Sequence, residues 1–483
     1  MMIRPRTRVK TLGTLLLPAL LLSSCGSFSS NARRSTERLP QSADPLDSGR
    51  EIGMTLFRST ALAAVRQPAT TTKVAIALAY QRVRTLFRST VSLADFTDAP
   101  PPEVPGTPEF EQLLNRHHIR RAEAGKVTFR VDGPAFFSDF RREVAQAKKT
   151  IDVQVFIFDN DDSAVHCADL LKARSNDVRV RVLFDDVGTT FAQAAPPDTP
   201  GPKGFTPPGN IRDYLEDGSK VRVRRILDPW LVSDHTKLLV FDAERAYLGG
   251  MNLGREYESE WHDLMARVEG PITIPLQLEF NHAWRKAGPI GDFALLKAPS
   301  WYRRKPPGPG PAFRILRTDP AEGRYDVLKA TRLAINASRK RVWIENPYFA
   351  ADDIVDEVIA AARRGVDVRV VLPNRGDSTI MDAGNAATAR DLMAAGVKVY
   401  RYPRMTHMKV MIADDWATFG SANLDTLSMR INRELNLSTN DPGTVKALEN
   451  AVFTPDFKVS RAMRKSDTDS MIAPFAESIA DQL

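Results

Sequence analysis

The chain has 483 residues, 43% of them hydrophobic and 26% charged, with a formal net charge of +8. That length and apolar content can bury a large core in more than one domain, which excludes a disordered or disulfide-stapled chain, and two cysteines exclude a thiolate metal cluster. The positive excess suits a partner carrying phosphate groups and does not decide between lipid and nucleic acid.

Arg4, Arg6, Arg8 and Lys10 precede an apolar run from Leu12 to Leu22 that is too short for a stop-transfer helix, so residues 1–24 read as a signal peptide. The end of this run, Leu22-Ser23-Ser24-Cys25, resembles a bacterial lipobox. The resemblance implies acylation at Cys25, with palmitate among the acyl chains. It also implies that Gly26 in the sorting position directs the lipoprotein to the outer membrane, facing the periplasm. Removal of residues 1–24 deletes four cations and no acid, leaving +4.

Residues 25–49 are Ser-rich and polar, the composition of a flexible tether. Residues 50–120 read as mostly helical and carry the string TLFRST twice, at 55–60 and 85–90, ahead of a Pro-rich stretch at 98–108. Cys167, in a helix-like run, has no intramolecular partner once Cys25 is acylated and reads as a buried thiol. The histidines show no ligand spacing such as His-Glu-x-x-His, so no metal is expected.

The remaining chain repeats itself around a Pro/Gly-rich linker at 303–312. In residues 121–302, KTIDVQVFIFDND predicts a buried strand, 163–174 a helix and DVRVRVLFDD a parallel strand. In residues 313–445, KRVWIENPYFAADD, 354–364 and VDVRVVLPN follow the same order. Each unit continues with another helix, a short strand after Gly (DGSKVRVRRI, AGVKVYRYP) and an apolar run headed by a His-x-Lys pair. The first unit also carries a Pro/Gly-rich insertion, 194–210, predicted as an exposed loop near the mouth of a site. A repeat of this size predicts two similar α/β domains, with 446–483 left as a tail.

The chemistry-bearing pattern is His235-x-Lys237 with Asp242, ending Gly249-Gly250-Met251-Asn252, and His407-x-Lys409 with Asp414, ending Gly420-Ser421-Ala422-Asn423. Residues two apart on a strand face the same way, so each His and Lys would project together while their neighbours pack. The second copy is one residue shorter between its Asp and Gly, which predicts a tighter hairpin. Asp242 and Asp414, five residues beyond their lysines, fall on the opposite strand face, where structural salt bridges are expected.

The twin His-x-Lys-x4-Asp pattern, with GREYESEWHDLMARVEGP after the first copy, and NPYF before and SANLDTLSMRINRELN after the second, resembles the phospholipase D superfamily and most of all its bacterial cardiolipin synthase branch, over roughly residues 125–440. The resemblance implies two phospholipase D-like α/β/α sandwiches with mixed sheets in a pseudo-two-fold arrangement, their half-sites joined into one. It implies a phosphohistidine mechanism with no metal and no cofactor, in which His235 is the nucleophile and His407 the acid/base. The near-equivalent motifs leave the assignment between the two histidines open. Lys237, Lys409, Asn252 and Asn423 would hold phosphate oxygens. Asp263 and Glu434, 28 and 27 residues after the two histidines, would orient the imidazoles.

The implied function is phosphatidyl transfer to an alcohol such as the headgroup of phosphatidylglycerol. The alternatives are a phospholipase D hydrolase, a periplasmic nuclease and an inactive lipid-binding scaffold. Intact motifs count against the scaffold, and the lipid anchor favours phospholipid over nucleic acid as partner.

Overall fold

The computed structural model describes residues 45–88, 100–194, 199, 201–227, 229, 232–296 and 310–468. The signal segment, Cys25, the tether up to residue 44 and most of the linker, 303–309, lie outside the described residues.

The first repeat builds a seven-stranded mixed sheet in the order Lys126–Val131, Leu264–Glu269, Arg245–Gly249, Leu238–Phe241, Thr150–Val155, Arg179–Asp185, Arg222–Ile226. The last three strands run parallel, as the β-α-β pattern requires, and the other neighbours are antiparallel. The second repeat gives the same order: Ala312–Asp319, Glu434–Thr439, Trp416–Gly420, Val410–Ala413, Arg341–Glu345, Asp367–Pro373, Lys398–Tyr402. This sheet is widened by Glu123–Ala124 and Arg324–Tyr325 at one end and Arg461–Ala462 at the other.

The apolar runs after the two His-x-Lys pairs are continuous because both faces of each sheet are covered. Leu239 and Phe241 point into a core beneath the helices Gly133–Gln146 and Asp162–Arg174, while Leu238 and Val240 point into a second core. Met411 and Ala413 enter the outer core of the second half, and Val410 and Ile412 enter that same second core. The shared core also takes Leu248 and Val268 from one sheet, Phe419 and Leu437 from the other, and Phe280 of the helix Thr273–Lys286. The two mixed-sheet sandwiches are thus joined through one hydrophobic interior.

Three sequence expectations change. Residues 446–468 are not a tail: Val452 and Phe453 are fully buried in the shared core, and Arg461–Ala462 adds to the sheet edge. The helix Pro108–Arg116, assigned with the N-terminal region, inserts Phe110 and Leu114 into the outer core of the second half, with Phe110 edge-on to Trp416 at 6.0 Å. Asp242 and Asp414 serve chiefly the backbone. Asp242, at φ 57° in the hairpin turn, accepts N–H bonds from Lys148, Lys149 and Thr150; Asp414, at φ 49°, accepts them from Arg339, Lys340 and Arg341. Each carboxylate fastens its turn to the start of the neighbouring strand, satisfying donors that would otherwise lack partners. The second turn is shorter, Asp414–Asp415 against Asp242–Glu244.

Cys167 is a free, buried thiol in the outer core of the first half. The described part of the 194–210 insertion is largely exposed, and it is held to the segment after Asn252 by Arg255, which donates to the Thr199 carbonyl at 3.1 Å. No helix among the described residues is long and apolar enough to cross a membrane.

Candidate active site

The ladder strands begin at Leu238 and Val410, so His235–Lys237 and His407–Lys409 are extended lead-in segments and not part of the regular strands. Backbone pairing with the opposite half fixes them. His235 donates its N–H to Arg433 O at 2.9 Å and Arg433 donates to Ser233 O at 2.9 Å; His407 donates to His262 O at 2.7 Å and His262 to Met405 O at 2.9 Å. These two parallel bridges are related by the pseudo-two-fold axis. The residue after Arg433 is Glu434 and the residue after His262 is Asp263, so each bridge delivers an acid from one half to the histidine of the other.

His407 Nδ1 lies 2.7 Å from Asp263 Oδ2, and His235 Nδ1 lies 3.0 Å from Glu434 Oε1. The four side chains are almost fully buried. Each lysine turns back on its own motif: Lys237 Nζ donates to His235 O and Lys409 Nζ to His407 O, both at 2.8 Å. Burial, then Lys237 and Lys409, hold the His235 imidazole well below its usual range. His407 is held there by burial, Lys409 and Lys237, with His235 adding to the effect. Both lysines bear on both imidazoles, so the structure brings the two half-sites into one.

Burial pushes Asp263 up to about 7 and Glu434 up to about 8, while the lysines oppose it. The low-lying imidazoles and raised carboxyls express one physical fact. A buried His–carboxyl pair favours the state with no net charge, and the nearby ammonium groups favour the carboxylate. Each pair is therefore one proton-holding unit, with burial and the two lysines setting where the proton sits.

The halves differ in how the acid is held. Ser421 Oγ donates to Glu434 Oε2 at 2.5 Å and accepts the Leu435 N–H at 3.0 Å. The equivalent position is Gly250, where a Cβ would fall 2.2 Å from Asp263 Oδ1, so the shorter acid occupies the space of a side chain. Asp263 Oδ1 accepts instead from Leu264 N–H at 2.7 Å.

Asn252 is tied into the fold: its Oδ1 accepts from Phe156 and Ile157 N–H at 3.2 and 3.0 Å, and its Nδ2 donates to Tyr257 Oη at 2.8 Å. It secures the loop that carries Phe156, and the second N–H of its Nδ2 is left beyond the Tyr257 bond. Asn423 is buried with an unpaired Oδ1. Aromatic walls escaped the sequence reading. Phe156 stands edge-on to His235 at 5.0 Å and 5.1 Å from Lys237 Nζ, and Tyr257 and Trp261 flank His407 at 5.7 and 5.1 Å.

Beside the site, His262, Glu345 and Asp456 offer ligand atoms within 4.8 Å of one another, a grouping that local spacing could not show. Both imidazole nitrogens are engaged by carboxylates, Nδ1 by Asp132 at 2.6 Å and Nε2 by Asp456 at 3.1 Å. Against the cost of burial, those contacts raise His262 to about 10, and its ring stacks on Tyr402 at 4.3 Å. These contacts favour the protonated imidazole, which would place a cation within the cluster itself.

The family described as cardiolipin synthase, PLD-like domain, matches residues 140–284 and 332–453, one segment in each half. The chain belongs to this phospholipase D-like, cardiolipin synthase family. Cardiolipin synthase A of Pseudomonas syringae pv. syringae is 32% identical over 70% of this chain and 69% of its own length, and that of Pseudomonas entomophila is 31% identical over 71% of each. Among solved structures, phosphatidylserine synthase of Haemophilus influenzae Rd KW20 superimposes with a TM-score of 0.59 over 77% of this chain and 95% of its own, at 12% identity, a likeness of fold. Family membership makes the chain an enzyme of the phospholipase D superfamily.

Proposed function

We propose that the protein is a phosphatidyltransferase of the cardiolipin synthase kind, acting on phospholipid phosphodiesters through a phosphohistidine. The observation that carries this reading is the pair of crossed His–acid contacts, His235–Glu434 and His407–Asp263, with Lys237 and Lys409 bearing on both. With Nδ1 of His235 tied to the acid, Nε2 attacks phosphorus and the P–O bond to the leaving alcohol breaks. The His407–Asp263 pair gives that alcohol a proton. An incoming hydroxyl then returns a proton to this pair as its oxygen displaces Nε2. The two ammonium groups supply positive charge to the nonbridging oxygens as charge develops.

The relatives are named as cardiolipin synthases, which supports cardiolipin as the product and an alcohol such as the phosphatidylglycerol headgroup as the acceptor. The lipobox at Cys25 supports a membrane-anchored lipoprotein on the periplasmic face of the outer membrane. Abolition of fatty-acid labelling in Cys25→Ala checks the anchor, and co-fractionation with inner-membrane markers would contradict the location. Purified protein on phosphatidylglycerol vesicles should yield cardiolipin and free glycerol, with phosphatidic acid as the minor product. Dominant phosphatidic acid at every lipid density would make the enzyme a hydrolase. DNA cleavage dependent on His235 and His407, without lipid products, would make it a nuclease.

A further inference from the structure

Eight large apolar side chains are exposed among the described residues, and seven of them belong to one module. Met54, Phe57 and Val65 lie on the helix Pro45–Arg66; Ile76 and Tyr80 lie on the next helix, Pro68–Arg88. Ile290 and Phe293 lie at the turn Gly291–Leu296 that this hairpin docks against, where Thr70 N–H and Oγ1 bond the Asp292 carboxylate at 2.9 and 2.6 Å. Phe57 is 73% and Val65 76% exposed, so these are not rims of a buried face.

The helices are amphipathic in the inverted sense. Met54, Phe57, Ala61 and Val65 recur at the spacing of one helical stripe and face outward, whereas Thr55, Ser59, Gln67, Thr71 and Gln81 are buried. A water-facing helix would place those residues the other way round. Seven outward apolar side chains gathered on one module mark a contact with something apolar.

Charge identifies the occupant. Residues 45–88 carry seven cations, Arg50, Arg58, Arg66, Lys73, Arg82, Arg84 and Arg88, against Asp47 and Glu51. Arg58 is spent on Asp186 at 3.1 Å, but Lys73 is exposed, and the cationic excess of the segment as a whole disfavours pairing with a second copy and attracts anionic headgroups. Position agrees. On the inner side of the hairpin Val74 packs on Val232, three residues before His235, and Gln67 and Thr70 line a small cavity with Asp234 and Arg433, the neighbours of His235 and Glu434. Cys25 precedes Pro45 by twenty residues, at most about 70 Å of extended chain.

We propose that the outward face of the hairpin, with Ile290 and Phe293, lies on an anionic phospholipid bilayer and holds the entrance of the site against it. This deepens the lipid reading above and assigns a role to the segment before the repeats.

The test uses the full chain with Cys25→Ala, so that no acyl anchor masks the contact. Partition onto sedimented phosphatidylglycerol/phosphatidylcholine vesicles should fall at least tenfold in Phe57→Ser/Val65→Ser/Ile76→Ser. Turnover of monomeric short-chain phosphatidylglycerol should stay within twofold, and partition within twofold of the parent would overturn the proposal. Because a triple variant can misfold, Phe57→Cys carrying an environment-sensitive fluorophore, with Cys167 protected by burial, gives a second readout. The emission should be water-like in buffer and shift to the blue on adding the anionic vesicles. A blue-shifted emission in buffer at all protein concentrations would mean that the chain's own N-terminal residues cover the face, and one that grows with protein concentration would mean a second copy; either overturns the proposal. The His235→Ala chain should partition like the parent, so failure of docking and failure of the transferase reading are separable.

Discussion

Nδ1 of His407 is 2.7 Å from Oδ2 of Asp263, a carboxylate that belongs to the other half of the chain, and His235 has the mirrored relation to Glu434. Neither half owns a complete imidazole–acid pair. A consequence is that an acid variant should fail in the manner of the histidine it touches and not of the histidine in its own repeat.

Asp263→Asn should therefore resemble His407→Asn, and Glu434→Gln should resemble His235→Asn. Losing either histidine is expected to cost several orders of magnitude, and losing an acid about 10²–10⁴-fold, since orientation degrades while the reacting atoms remain. Double variants of a touching pair should cost scarcely more than the histidine change alone. Quench-flow trapping of labelled protein with phosphatidylglycerol would show it. Equal effects of Asp263→Asn on the His235 step and the His407 step would remove the crossed assignment.

Much of this was legible because it is local. The β-α-β order, the twin His-x-Lys pairs and the matched offsets of Asp263 and Glu434 lie within single repeats, and a parallel strand pair announces itself in sequence by two apolar runs around a helix. The crossing was not legible, because it depends on the bridges at Arg433 and His262, which form only when the halves meet. The same holds for His262, Glu345 and Asp456, which are drawn from three distant segments. Asp242 and Asp414 misled for another reason. Strand alternation predicts a face but cannot anticipate a positive-φ turn whose carboxylate bonds three backbone N–H groups.

The unequal support of the two acids gives a second prediction. Gly250→Ala places a methyl group where Asp263 Oδ1 now sits, 2.2 Å from it, so the acid must swing away from His407. Activity should fall at least a hundredfold with the loss confined to kcat. Ser421→Ala leaves space but removes the hydroxyl from Glu434, at a cost of about 1–2 kcal/mol in stability and a smaller loss of rate. A Gly250→Ala enzyme with near-normal kcat would show that Asp263 does not work from this position.

A third prediction concerns alkaline pH. His262 has its folded-state pKa raised from 6.5 to about 10 by Asp132 and Asp456, so the stability it contributes is fully present below about 6.5 and is lost as pH climbs through about 10. The unfolding free energy from urea melts should fall across that window by up to about 1.4 kcal/mol per pH unit. His262→Arg keeps a cation and should flatten the slope if the larger side chain fits. His262→Gln should be less stable at pH 6 and also flat. A parent chain with no alkaline loss beyond that of His262→Gln would mean that the imidazole is not held protonated by its neighbours.

The last prediction asks what supplies positive charge to the phosphate. Lys237 and Lys409 are buried, each anchored on the carbonyl two residues back, and both depress the same two imidazoles. A flexible surface lysine would have to be ordered during the reaction, whereas these have their positions set by the fold, so their charge acts in a low-dielectric site without reorganisation. Lys237→Met and Lys409→Met should each lose about 10²–10³-fold in kcat, the scale on which a preorganised electrostatic contact is worth about 3–4 kcal/mol. Each should also let the imidazoles titrate closer to their usual range, moving the acid limb of the rate profile toward higher pH. Turnover of the parent should be indifferent to a chelator, and added magnesium should not rescue the variants. An obligatory divalent ion in the parent, or rescue of Lys409→Met by a metal, would transfer the electrostatic role from the lysines to the ion.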